Sequence, residues 1–183
     1  MTTTTTTTLP LATGRWAVDP AHSSVGFTVR HLGISKVRGR FARFDADVVI
    51  GSSLDETSIE ATIDLTSIDT ANTDRDAHVS SPDFLDVERR PTITFRSRSI
   101  EADGDGYRLV GDVIFGETTT PMTMTVELGG LEIGPDGRRH AGFEATGELR
   151  RTDLGVAPGI PSAALGDVVK FQLDIQLLEP DAA

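Results

Sequence analysis

The chain of 183 residues contains no cysteine and no long apolar run. Without cysteine it forms neither disulfides nor thiolate zinc sites, so its stability must come from the core alone. No segment approaches the roughly 20 apolar residues of a membrane-spanning helix, and we expect no stable membrane insertion. The N-terminus lacks the basic and apolar segments of a secretory signal, which predicts a cytoplasmic protein.

Positive charge is scarce in this sequence. It has 17 Lys and Arg residues against 28 Asp and Glu, which leaves a net charge of −11 at pH 7. Proteins bind polyanions largely by neutralising phosphates with Lys and Arg. The composition therefore argues against nucleic acid as a partner and against non-specific binding to anionic membranes.

The sequence also lacks the common motifs of catalytic and cofactor sites. It has no histidine pair with zincin spacing, no Gly-x-Ser-x-Gly elbow and no glycine loop for phosphate. The acidic turn at residues 103–106 lacks the later ligands of a calcium loop, and Asp153 and Asp167 show no acid and base pairing. We expect a protein that is not an enzyme and that holds neither a metal nor a cofactor.

The pattern that is present is strict alternation of apolar and polar residues. In the segment 24–32, Val25, Phe27, Val29 and His31 share one face of a strand, and polar residues share the other. Eight or nine such segments follow one another. We expect a bend in a long strand over residues 37–50, near positions 42–43, and a loop at Gly129-Gly130. The Thr-rich residues 1–13 are predicted to be a disordered tail, and residues 14–179 a single domain.

One-sided strands without a covering layer remove their exposed edges by closing on themselves. A sandwich is the other arrangement that such a chain could adopt. Closure predicts an all-β fold, an eight-stranded antiparallel barrel. One short helix is expected after Asn72, a suitable N-cap, and before Pro82, where it caps one end of the barrel.

The inward faces of the predicted strands mix phenylalanines with small residues such as Gly39, Ala61, Gly111, Ala145 and Gly147. Large side chains beside small ones are typical both of an apolar tunnel and of a filled, dry core. Methionines at positions 122 and 124 fit either interpretation, because Met fills irregular gaps and also lines adaptable apolar sites.

Polar residues on and near the short helix have two interpretations. Arg75 and His78 project from one side of the helix, and His31 lies on the apolar face of its strand. With Asp76 they could form a hydrogen-bonded network that fixes the helix to the barrel. Alternatively they could meet the polar head of a ligand, such as a phosphate or a quinone.

Two arginines, Arg150 and Arg151, end a predicted strand just before a loop rich in Gly and Pro. They could line the mouth of the barrel. Solvated surface arginines are the simpler interpretation.

The sequence resembles the YceI-like family over about residues 14–178. Four blocks carry the resemblance, and they are specific in combination. They are WAVDPAHSSVGFTVRH (16–31) with VRGRF (37–41); SIDT (67–70) with RDAH (75–78) and DFLD (83–86); YRLVGDV (107–113); and GFEAT (142–146) with RTDLG (151–155).

The resemblance implies an extended, lipocalin-like barrel that encloses a tunnel for an isoprenoid lipid or the tail of a quinone, often in a homodimer. The family's founding members are exported. Val79 and Leu85 depart from the family's usual Leu and Phe, and both changes alter the shape of the tunnel more than its chemistry.

Our leading hypothesis is a carrier that sequesters a polyprenyl phosphate or a quinone tail, with His31, Arg75 and His78 near the head group. The alternatives are an enzyme with His31 or His78 as general base, and a ligand-free structural barrel. The predicted ligand-binding residues are Phe27, Val29, His31, Phe41, Ile63, Arg75, His78, Phe84, Phe95, Phe115, Met124, Phe143 and Phe171.

Overall fold

The structure is a computed structural model and describes residues 8–181. This part of the chain contains eleven strands and one α-helix. Three single 3-10 turns lie at Pro20–His22, Leu54–Glu56 and Leu65–Ser67. The elements are β1 (Gly14–Val18), β2 (Ser24–His31), β3 (Ser35–Phe41), β4 (Phe44–Ile50), β5 (Ser58–Asp64), β6 (Ile68–Asp69), α1 (Thr73–Ser80), β7 (Thr92–Asp103), β8 (Gly106–Phe115), β9 (Thr118–Ile133), β10 (Arg139–Arg150) and β11 (Leu165–Leu178).

Eight of the strands close into a ring. The order is β1, β4, β5, β7, β8, β9, β10 and β11, and β1 pairs with β11 to complete it. Every pairing is antiparallel, and β2, β3 and β6 continue the sheet beyond the edge of β11. The predicted all-β, eight-stranded antiparallel barrel with one short helix is confirmed.

Breaks in the N-terminal strands allow this arrangement. The turn at Pro20–His22 separates β1 from β2, and both strands pair with β11. The predicted bend near positions 42–43 divides the segment 37–50 into β3, which pairs with β2, and β4, which pairs with β1. The break is stabilised because Ala42 N donates to Ser67 O and Arg43 N donates to Ser67 Oγ.

The antiparallel connections define two ends of the barrel. We call the helix end the one formed by the β2–β3 turn, the connection 70–91 with α1, the β8–β9 turn and the loop 151–164. At the opposite end lie the turns that join β4 to β5, β7 to β8 and β9 to β10. As predicted, Asn72 caps α1: its Oδ1 accepts from Arg75 N.

The described part of the chain contains one α-helix, α1, and its eight residues are too few to cross a membrane.

Two predictions about local structure need correction. Gly129 and Gly130 lie inside β9: Leu128 pairs with Phe143 and Gly130 with Gly142, so Gly129 is the extra residue of a bulge. The sequence pattern could not separate a loop from a bulge, because glycine favours both.

The N-terminal segment differs in part from the predicted tail. Residues 1–7 of that tail lie outside the described residues, but Leu9 and Leu11 pack against the core. Trp16 Nε1 donates to Ala12 O at 2.9 Å. Residues 9–12 therefore belong to the packed domain, because two leucines in the Thr-rich segment bury apolar surface.

Asp64 ties the end of β5 to the break between β3 and β4. Its carboxylate accepts from Thr66 N and Thr66 Oγ1, and from Arg43 Nε at 2.8 Å. The hydrogen bond from the Thr66 hydroxyl, followed by that from Arg43, holds the pKa of Asp64 below its usual value. The folded protein therefore takes up this proton at a lower pH than the unfolded chain does.

We expect Asp64→Asn to lower the free energy of unfolding at pH 7, where the stabilisation by the carboxylate is complete. The difference from the wild type should shrink as the pH falls through the pKa of Asp64 in the folded protein. Below that pH the Asp64 carboxyl is protonated and neutral in both the folded and the unfolded protein. Urea unfolding at several pH values measures this. Asp55→Asn, at an exposed position, is the control. A difference from wild type that does not change with pH would contradict the assignment.

Candidate binding cavity

A cavity of about 590 Å³ runs along the inside of the barrel. It extends from Leu9 and Thr57 at the opposite end to His31 and Ile160 at the helix end. Its volume lies within the range of roughly 300–1,000 Å³ that small-molecule sites occupy. Most of its lining is apolar, because each strand of the barrel turns one apolar face inward.

All thirteen residues predicted to bind a ligand line this cavity. The structure thus brings them together, and their contact with a ligand stays a prediction. The aromatic and aliphatic members are buried or half-buried, whereas His31 and His78 are exposed to solvent. The thirteen are Phe27, Val29, His31, Phe41, Ile63, Arg75, His78, Phe84, Phe95, Phe115, Met124, Phe143 and Phe171.

Three of the inward glycines do not leave open space beside the cavity, because side chains cover them. A Cβ atom at Gly39 would lie 2.3 Å from the ring of Phe27, and one at Gly111 would lie 2.4 Å from the ring of Phe95. At Gly147 it would meet Met122. Side chains of neighbouring strands therefore lie across these glycines.

Two alanines lie side by side on the cavity wall. Ala46 of β4 and Ala61 of β5 are direct cross-strand partners, and both line the cavity. Neither side chain extends beyond its Cβ, so the pair takes up little of the interior.

A polar network at the helix end joins Arg75 to Asp76 through Thr70. Arg75 Nε donates to Thr70 Oγ1 and its Nη2 donates to Thr70 O, both at 2.7 Å. Asp76 Oδ1 accepts from Thr70 N and from its hydroxyl. The predicted structural network thus exists in part. His31 and His78 have no side-chain hydrogen bond to it within residues 8–181.

His78 lies where the cavity meets solvent. Its side chain is 60% exposed, and its Nε2 is 3.8 Å from Asp83 Oδ2. The imidazole packs edge-on against the ring of Phe84, with 4.9 Å between the ring centroids. His78 and Phe84 together form part of the boundary of the cavity at the helix end.

The rest of the connection between α1 and β7 packs onto the barrel. Arg90 lies over the ring of Phe115 at 4.2 Å, and its Nη2 donates to Phe84 O. Val79 and Leu85, the two departures from the family's usual residues, both line the cavity. This connection therefore completes the cavity wall between β6 and β7.

Arg151 lines the cavity at the helix end, where one of the two sequence interpretations places it, and it has a structural role that neither interpretation contains. It is 3% exposed and donates to five backbone carbonyls, at distances of 2.5–3.2 Å. The interpretation of Arg151 as a solvated surface residue is therefore wrong, whereas Arg150 is exposed. Burial of the guanidinium depends on carbonyls that the loop 151–164 and the start of β11 supply, and the sequence alone does not reveal them. The five acceptors belong to Val156, Ala157, Ile160, Leu165 and Gly166.

Further lining residues were not predicted from the sequence. Leu154, Val156 and Ile160 come from the loop that Arg151 holds in place, and Leu9 comes from the segment predicted to be a tail. Each is an apolar residue within a polar or irregular segment, and that is the signal that could have revealed them.

No group of three or more His, Asp or Glu residues within residues 8–181 is arranged to hold a metal ion.

Comparison with known proteins places the chain in a family. The profile of the YceI-like domain matches residues 16–177. The chain belongs to the YceI-like family. It is 37% identical to protein YceI of Escherichia coli over 143 residues, which cover 74% of this chain and 75% of that protein. It is 36% identical over 138 residues to a UPF0312 protein of Pseudomonas aeruginosa, covering 74% of this chain and 71% of the relative.

Three solved structures have the same fold. BcnA of Burkholderia cenocepacia superposes with a TM-score of 0.76 at 21% identity, covering 87% of this chain and 98% of that one. The YceI protein of Campylobacter jejuni gives 0.74 at 26% identity, with 83% and 90% covered. A domain of Saccharophagus degradans described as polyisoprenoid binding gives 0.66 at 12% identity, with 90% and 98% covered.

We expect Arg151→Met to lower the free energy of unfolding by roughly 3 kcal/mol, because it removes the donors of five inward-turned carbonyls. Arg150→Met is the matched control, since this side chain is 65% exposed and lies 3.7 Å from Asp167. The control should cost less than about 1 kcal/mol. Urea unfolding measures both variants, and equal small losses would contradict the structural role of Arg151.

Proposed function

We propose that this protein binds the long apolar chain of an isoprenoid lipid inside its barrel and carries it shielded from water. The observation on which the proposal rests is the apolar cavity, which extends from one end of the barrel to the other. Support also comes from the fold that the chain shares with the Saccharophagus degradans domain, whose description names polyisoprenoid binding.

The energetics favour a long ligand. Each buried CH₂ group contributes about 0.8 kcal/mol, so a tail of many carbons offsets the entropy lost when it is ordered. A mostly apolar wall recognises length and shape rather than polar groups. This is the chemistry of an isoprenoid or quinone tail.

The distribution of His and Arg side chains along the cavity supports a polar head at the helix end. Among the lining residues, His31, Arg75 and His78 all belong to segments of that end. Arg151 also lines the cavity there, but its donors bind backbone carbonyls, and the acidic lining residue, Asp45, is exposed between two inward residues of β4. Arg75 uses Nε and Nη2 for Thr70, which leaves Nη1 to donate to a phosphate or a quinone oxygen.

The two alternatives have less support. A filled, ligand-free barrel is at odds with an open interior of about 590 Å³. For catalysis, a histidine base needs a group that orients it. Within residues 8–181, His78 has Asp83 at 3.8 Å, and the His31 side chain has no hydrogen bond.

The proposal is tested by native mass spectrometry and lipid extraction of the protein purified from its own source. We expect a bound species with an isoprenoid fragmentation pattern. An empty wild-type protein from cells that make such lipids would contradict the proposal. The homodimer that the resemblance implies stays a prediction, and the native mass gives the number of chains.

Ala61→Phe should reduce the bound lipid about tenfold or more, because a phenyl ring then extends from the cavity wall into the interior. Thr62→Phe is the matched control: it adds the same ring to the next residue of β5, which is exposed. Lipid content is compared in variants whose circular dichroism matches the wild type. Equal lipid content in both variants would place the ligand outside this cavity.

A further inference from the structure

We infer that the β2–β3 hairpin docks the helix end of the barrel onto an anionic lipid bilayer. Large hydrophobic residues exposed in the described residues number four, and three of them lie in or beside this hairpin. Leu32 is 54% exposed, Ile34 is 82% exposed and Val168 is 37% exposed. The fourth, Ile133, lies at the opposite end of the barrel.

The tip of the hairpin is held in a defined shape. Leu32 and Gly33 both have positive φ angles, 53° and 69°, which form the tight turn between β2 and β3. Leu32 N donates to Ala164 O at 2.9 Å, and Ile34 N donates to His31 O. The two apolar side chains are therefore presented by a fixed backbone, so little ordering is needed when they enter an apolar phase.

Cations surround this apolar tip. Between Asp19 and Asp45 the sequence contains no Asp or Glu, in a chain whose net charge is −11. Arg40 and Arg43 are paired with Asp69 and Asp64. Three exposed cations of this segment remain, and the exposed Lys170 of β11 lies beside them. Within residues 8–181 none of these four forms a salt bridge. We call them the basic ribbon: Arg30, Lys36, Arg38 and Lys170.

Strand register places the basic ribbon on one face. Arg30 lies directly opposite Lys36, and Thr28 is the partner of both Arg38 and Lys170. These positions alternate with Val29 and Val37, which line the cavity, so the four cations lie on the outer face. Cations on one face beside an exposed apolar tip are the pattern of a surface that enters the boundary between head groups and acyl chains.

Glu148 of β10 lies directly opposite Lys170, and other acidic residues of the helix end lie on segments away from the hairpin. Asp74 and Asp83 belong to the connection 70–91, Glu117 to the β8–β9 turn and Asp153 to the loop 151–164. An anionic surface attracts the basic ribbon and repels these groups. We therefore assign contact to the hairpin with the adjoining Val168 and Lys170 of β11, and the barrel is tilted on the bilayer.

The choice of a bilayer over a protein or a nucleic acid rests on the position of the tip. The hairpin supplies Val29, His31 and Val37 to the cavity, and His31 is exposed at its edge. Docking through Leu32 and Ile34 would bring this edge to the depth at which lipid tails begin. The inference does not depend on the proposed function, because vesicle binding is measured whether or not the cavity holds a ligand.

The test is co-sedimentation with large vesicles of phosphatidylcholine, alone or mixed with phosphatidylglycerol. We expect the wild type to bind the anionic vesicles and to be released as salt is added, because exposed charges are screened. Equal binding to both kinds of vesicle, or to neither at low salt, would overturn the inference. Binding to neither kind of vesicle would indicate that the exposed tip contacts a protein partner instead.

Two double variants separate the contributions of charge and apolar contact. Lys36→Gln with Arg38→Gln should weaken binding about twenty-fivefold, since each cation near an anionic surface contributes about a fivefold change. Leu32→Ser with Ile34→Ser should weaken it about tenfold or more. Arg139→Gln and Ile133→Ser make the same kinds of change at the opposite end and should bind as the wild type does. Equal losses in these controls would overturn the assignment to the hairpin.

Insertion of the tip has its own readout. The single tryptophan, Trp16, is 1% exposed, so its emission should not respond to vesicles. In the Ile34→Trp variant, the emission of the introduced tryptophan should shift to shorter wavelength when anionic vesicles are added. In the Ile133→Trp variant it should not. A shift in both variants, or in neither, would contradict insertion through the β2–β3 hairpin.

Discussion

The closure of the sheet between β1 and β11 is the constraint on which the rest of the structure depends. This contact is short, with Ala17 opposite Leu178 and Val18 opposite Leu177. Beyond it the chain turns at Pro20–His22, and β2 takes the remaining edge of β11. Without closure the inner faces would form an open apolar surface with free edges. Closure converts the same faces into an enclosed cavity.

The alternation of apolar and polar residues predicted the interior well. A side chain in a strand faces either inward or outward, so period and parity decide which residues share the inside. The ten predicted site residues that lie in strands therefore line the cavity. Parity does not determine how far along the barrel a residue lies or how exposed it is. His31 and His78 are both exposed at the helix end, and only the closed barrel and the position of α1 show this.

Features that depend on two distant segments could not be predicted. The ring of Phe95 on the neighbouring strand occupies the space beside Gly111, and that contact depends on the register of β7 against β8. Arg151 is buried because a later loop turns its carbonyls toward the guanidinium. A charged residue is assigned to the surface on composition alone. A charged residue that is buried instead needs hydrogen-bond partners, and only the fold shows which groups these are.

The same distinction applies to charge. The net charge of −11 is a sum, and it predicts repulsion between the average surface and any polyanion. At physiological salt, however, exposed charges act over about 8 Å, so the local distribution decides what a surface meets. The basic ribbon lies on β2, β3 and β11, and Glu148 of β10 is the acidic residue directly opposite it, as the partner of Lys170. Because the rest of the protein surface is strongly acidic, an anionic bilayer repels it. The protein then approaches the bilayer with the basic ribbon first, and this orientation presents the edge of the cavity to the lipids.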